Sequence, residues 1–173
     1  MAVSIYDIPT WATSTAYALH TIVSYNGTIY YAIVDVASSS STPDTKPEWW
    51  GGTAAWIDGV TKPFFLWRQS YNYTNAFKPQ TRKIQFGDGY LQKMKEQINN
   101  NLTEFDLSFD GRSLFEATAI LHFLKERQGS ESFLWVPTPP FATLKLFFCE
   151  EWTATETFFE NWSIKAKFIE SVN

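Results

Sequence analysis

The sequence predicts a mainly β protein with one helix, and three observations carry that prediction. Aromatic residues make up 18% of the 173 positions, and such rings suit the pleated, half-buried surface of a sheet. Four stretches alternate apolar and polar residues: Thr81–Phe86, Leu102–Phe109, Leu144–Glu150 and Trp162–Ser171. One segment, about residues 113–129, carries helical spacing together with start and stop signals. The resulting architecture is a β-sandwich or barrel with one packed helix, preceded by a small three-stranded β module. A chain this long buries about 68–70% of its surface and builds a core without covalent staples.

The small module spans residues 1–60. Trp11–Thr15 reads as a turn-like entry. His20–Tyr25 and Thr28–Val36 flank Asn26-Gly27, a pair that favours the two-residue hairpin turn with positive φ at both positions. Ala37–Pro47 is a loop by composition. Glu48-Trp49-Trp50 and Trp56-Ile57 are expected to form the strand that closes the hairpin.

The larger part spans residues 61–173. Phe64–Arg68 opens it as a strand, and Ser70–Pro79 reads as loop. Thr81–Phe86 leads into the tight turn Gly87-Asp88-Gly89, and Tyr90–Gln97 continues as a strand or extended arm. Asn99-Asn100-Asn101 marks another turn. In Leu102–Phe109 the odd positions are expected to face the core. Ser113 and Glu116 form a capping box. Leu114, Ala117, Leu121 and Leu124 make an apolar stripe widened by Ile120. Lys125 and Arg127 suit the last turn, and Gly129 ends the helix. Ser132–Val136, closed by Pro137, Pro139 and Pro140, and then the last two alternating stretches complete the strands.

Charge is unevenly placed. Residues 1–60 hold one Lys and five acids, whereas Lys62–Lys95 holds seven Lys/Arg against the lone Asp88 and Glu96 onward holds six against twelve acids. Segments of opposite sign suit contacts between copies or with neighbours. The net charge of −4 argues against nucleic acid as the main partner. The single Cys149 excludes an internal disulfide and a thiolate zinc site, as befits a chain that folds without oxidation. No run approaches the ~18 apolar residues of a membrane span, and the N-terminus lacks the pattern of a signal peptide, so no membrane anchoring is expected.

No catalytic constellation stands out, and neither a metal site nor a cofactor is called for. His20 and His122 are far apart, Cys149 sits in an apolar strand where an inert thiol is expected, and no HExxH or GxSxG occurs. Glu150 and Glu151 point to opposite faces of a strand. Gly87-Asp88-Gly89 lacks the helix and Lys-Ser/Thr pair of a phosphate loop. The aromatic crowding of the small module leaves two readings open, its own core or rings that stack on sugars. Tyr25 and Trp50 are the candidates for exposure and glycan stacking.

From about Asn75 to the end the sequence resembles the minor tail protein M family of lambda-like tailed phages. The resemblance rests on KPQTRKIQFGDGY, Gln92-Lys93, INNNL, a helix ending FLKERQG, SFLWVPTPP, LFFCEEW and a closing WSIKAKFIESVN. It implies a tail-tube-like β-sandwich in a virion tail: a ring of subunits, six by the resemblance, at the distal end of a non-contractile tube near the tip. Its partners would be its own copies, the tail tube protein and other tail-tip proteins, with DNA only as cargo in the channel. Within the basic arm Tyr71–Lys95, the residues Lys78, Arg82, Lys83, Lys93 and Lys95 are the candidates for contact with a neighbouring subunit or the tube. The first sixty residues are an addition. They are similar to small chitin-binding-type carbohydrate modules, through Trp11 and Tyr17, VSYNGTIYYAI and Trp49-Trp50, which implies host surface polysaccharide as a partner. A free-standing carbohydrate-binding module is the alternative.

Overall fold

The computed structural model describes residues 5, 8–52, 54–57, 60–79, 81–85, 91–95 and 102–171. In the first part lie β1 (Thr15–Tyr17), β2 (Ile22–Tyr25), β3 (Thr28–Ala32), β4 (Val36–Ser39), a 3-10 turn at Pro43–Thr45, and β5 (Trp50–Gly52). β2, β3 and β5 form a three-stranded antiparallel sheet in that order, and β1 pairs with β4. Tyr25 pairs with Thr28 across Asn26 and Gly27, whose φ angles are 47° and 75°. Glycine reaches that region without a side-chain clash, and asparagine tolerates it better than most residues. The closing strand begins only at Trp50; Glu48 and Trp49, expected within it, lie in the turn before it, and Trp56-Ile57 does not join it. Those residues lie in β6 (Ala54–Ile57), which makes a separate hairpin with β7 (Val60–Pro63).

The second part contains β8 (Thr74–Phe77), β9 (Thr81–Gln85), β10 (Leu91–Lys95), β11 (Thr103–Ser113), α1 (Leu114–Arg127), β12 (Phe133–Trp135), β13 (Lys145–Phe158) and β14 (Asn161–Ser171). Five strands form one antiparallel sheet in the order β12-β13-β14-β11-β8, while β9 and β10 pair only with each other. Phe105, Leu107 and Phe109 of β11 are buried opposite Phe168, Ala166 and Ile164 of β14, so the odd positions face the core as the alternation predicts. The fold is mainly β with one helix. Among the described residues no sheet closes into a barrel, and the helix covers the apolar face of the large sheet. The turns expected at residues 86–90 and 99–101 lie outside the described residues.

Further segment expectations are corrected, first that of a loop over Ala37–Pro47, whose first three residues belong to β4. Residues 70–79 are not all loop, because Thr74–Phe77 pairs with Thr103–Asp106 as a margin strand. Phe64–Arg68 keeps strand-like alternation, with Phe65, Trp67 and then Gln69 buried, but it forms no ladder. A parallel bridge from Phe64 to Leu134 ties down its start, with the Phe65 amide donating to the Leu134 carbonyl at 2.8 Å, and the Arg112 guanidinium donates to the Arg68 carbonyl at 2.6 Å. The Phe65 ring nevertheless centres the core, 5.0–5.9 Å from the rings of Trp67, Phe109, Phe123, Phe133 and Phe168. Four of those five contacts are edge-on, the arrangement the ring quadrupole favours.

The helix is covered on more than one side. Ala117, Ala119, Ile120, Phe123 and Leu124 are buried, whereas Leu114 and Leu121 of the expected stripe are only half-buried. Ile22 and Tyr31 of the first part belong to the same buried cluster, and the Tyr31 ring lies 5.3 Å from that of Trp67. A single stripe therefore understates how the helix packs. The Ser113 hydroxyl accepts from the Glu116 amide at 3.3 Å, giving half of the capping box. The Glu116 carboxylate turns instead to the Arg112 guanidinium at 2.7 Å. Gln128 is already left-handed, and Gly129 follows with φ 71°. A Cβ on Gly129 would sit 3.4 Å from Glu150 Cα, so the backbone presses directly on β13.

Candidate functional site

The aromatic residues of the first part mostly serve their own small core. Trp50 is 3% exposed and meets Tyr17 edge-on at 5.3 Å. The exposure expected of Trp50 is thus corrected: its strand β5 is held against β3, which turns the indole toward Tyr17, Val23, Ala32 and Val36. Tyr25 is half-buried, with Trp11 edge-on at 5.5 Å. Trp49 is half-buried, with the Lys46 ammonium 5.0 Å from its ring centre.

The basic candidates divide into two groups. Lys78 is already engaged within the chain: it donates to Glu104 at 2.6 Å, and Lys167 approaches the same carboxylate at 2.9 Å. Those two ammonium groups hold the Glu104 carboxyl below its ordinary range. Arg82, Lys83 and Lys93 are exposed on the β9–β10 ribbon and, among the described residues, make no ion pair. The register places Lys83 opposite Lys93, Arg82 opposite Met94 and Thr81 opposite Lys95. Like charges directly across a strand pair are destabilising, so the Lys83–Lys93 pair does not contribute to the ribbon's own stability. Leu91 and Met94, 46% and 47% exposed, add apolar surface to it.

A second projecting feature was not anticipated. β12 covers β13 only at Lys145–Phe147, and every residue from 153 to 160 is exposed. At the tip of the β13–β14 hairpin Phe158 and Phe159 are 77% and 78% exposed.

The titratable groups that could have served chemistry are built into the packing. Burial pushes the Cys149 thiol up to about 12, far from a reactive thiolate. His122 is buried, its pKa lowered by desolvation, with Glu126 3.8 Å away. His20 shares a hydrogen bond with the Tyr31 hydroxyl and stacks on that ring, and its other nitrogen lies 3.8 Å from Glu116. Burial and the Glu116 carboxylate together raise the Tyr31 phenol well above its usual range. His20 and Glu116 thus join the first part to the helix. No helix is long and apolar enough to cross a membrane, and no cluster of three or more metal-binding side chains occurs among the described residues.

A large sheet, one helix and two exposed ribbons give broad surfaces, and the sequence that builds them has known relatives. The family described as phage minor tail protein matches residues 63–172. The chain belongs to this family. Over 90 residues, the minor tail protein is 33% identical to tail tip protein M of Escherichia phage lambda, spanning 52% of this chain and 81% of that relative. It is 36% identical over 90 residues to tail tip protein M of Escherichia phage N15, spanning 51% of this chain and 75% of that relative. A minor tail protein is a virion tail component, and its partners include other tail proteins. Residues 1–62 lie outside the family match, yet Ile22 and Tyr31 pack into the core that the matched residues build.

Proposed function

We propose that this minor tail protein forms a ring, six subunits by family resemblance, at the distal end of a non-contractile tail tube near the tip. The family match over residues 63–172, with tail tip protein M of two phages among the relatives, is the observation that carries this reading. DNA crosses the ring only as cargo, and the tail tube and other tip proteins bind its two faces. The role is structural rather than enzymatic, a reading favoured by the inert Cys149 and the packed His122. Residues 1–60 form a peripheral module and residues 61–173 the ring-forming part. The module has one candidate contact for host surface polysaccharide, the half-buried Tyr25 beside Trp11. The exposed Arg82, Lys83 and Lys93, with Lys95 in the same ribbon, meet a neighbouring subunit or the tube.

The test is electron microscopy of intact virion tails carrying a labelled copy of this protein, together with its incubation with isolated tail tubes. A labelled collar between tube and tip, and rings on tube ends, are expected. Absence from mature tails, or label spread along the tube, overturns the reading.

A further inference from the structure

Two surfaces stand clear of the chain's own packing, and their chemistry is complementary. We propose that the β13–β14 tip of one copy seats on the β9–β10 ribbon of the next copy, an inference that rests on the ring reading above and names the contact that would close it. The tip offers Phe158 and Phe159, both more than three-quarters exposed, flanked by Glu156 and Glu160. Neither glutamate has an ion-pair partner among the described residues, and the Glu156 carboxylate only accepts from the Glu160 amide at 3.3 Å.

The ribbon offers the converse. Its exposed apolar side chains are Leu91 and Met94, and its exposed cations Arg82, Lys83 and Lys93 make no ion pair among the described residues. Aromatic rings sit favourably against a thioether and over a guanidinium, and the register places Met94 and Arg82 side by side. A tip glutamate pairs with Arg82 on that same face, whereas Lys83, Lys93 and Leu91 share the ribbon's other face. β8, which leads into the ribbon, is one margin of the five-stranded sheet, and β13 lies three strands away toward the other. Different patches therefore meet in each contact, so the association is head-to-tail, the kind that closes into a ring when the rotation per subunit allows.

Cross-linking of the full-length chain tests this. Copies carrying Phe159→Cys are mixed with copies carrying Met94→Cys under mild oxidation, with the buried Cys149 as a silent background. A disulfide-linked dimer is expected in the mixture and not from either variant alone. Charge reversal adds a second arm: Glu156→Lys with Glu160→Lys weakens self-association on tube ends about 10-fold, and mixing with Arg82→Glu copies restores it, whereas mixing with Lys83→Glu copies does not. If Phe158→Ala, Phe159→Ala protein assembles like the unaltered chain and no cross-link forms, this contact is wrong while the ring reading stands. Cross-linking of Phe159→Cys to another tail protein in isolated tails also overturns it. If the unaltered chain never self-associates, alone or on tubes, both readings fall.

Discussion

Around Phe65 rings touch rings, with five aromatic neighbours within 6 Å; among the described residues the β9–β10 ribbon pairs with no third strand. Both regions lie in the family-matched residues 63–172, so one stretch holds a dense interior, completed by Ile22 and Tyr31, and an element whose side chains are mostly exposed. An isolated two-stranded hairpin is marginal in water, and opposed lysines weaken it further. The lesson is that the body's side chains bury one another, whereas the ribbon leaves its cations and its Leu91 and Met94 exposed.

The sharpest way to break that comparison is Phe65→Ala. Loss of a central ring is expected to cost about 3–5 kcal/mol, read as a large drop in the denaturation midpoint; a small drop would mean the core is looser than its ring contacts indicate. Next comes the small core of the first part. Trp50→Ala is expected to cost about 3 kcal/mol, whereas Tyr25→Ala costs about 1 kcal/mol or less. If Tyr25→Ala also removes retention on host polysaccharide while Trp50→Ala only destabilises, the proposed glycan contact is placed.

Acidity gives a smaller effect. The folded state lowers the pKa of His122, by burial first and against the pull of Glu126, so the unfolded chain takes up the proton more readily. Stability is therefore complete above the unfolded value near 6.5 and declines as pH falls below it, by at most about 1.4 kcal/mol per pH unit for one proton. A His122→Gln variant should flatten that decline in urea titrations between pH 7 and 5. The smallest change is expected from Lys83→Glu with Lys93→Glu, within about 0.5 kcal/mol of the unaltered chain. A large destabilisation there would show that the ribbon is held by the body after all.

How much of this was legible in the sequence follows the same division. In β11 and β14 the alternation of Phe105, Leu107 and Phe109, and of Ile164, Ala166 and Phe168, states which face is buried, and the structure buries it. Asn26-Gly27 announced its turn because few other pairs reach that backbone conformation. β8 was invisible because Thr-Asn-Ala-Phe has no alternation of its own; it is a strand only because β11 is beside it. Trp50 and the Phe158-Phe159 pair show the limit for aromatic residues, since hydrophobicity is identical whether a ring is sealed against Tyr17 or left in water. The second covering of α1 was hidden for a related reason: Ile22 and Tyr31 lie almost a hundred positions earlier, and nothing local to the helix records their arrival.

That arrival has a practical side. Because Tyr31 rests on Trp67 while His20 and Glu116 face each other across the same junction, clipping off the leading sixty residues would leave wet a wall meant to stay dry. Anyone trimming the chain to its conserved-looking portion should expect sticky, poorly behaved material, and would do better to keep the appendage and blunt it by substitution.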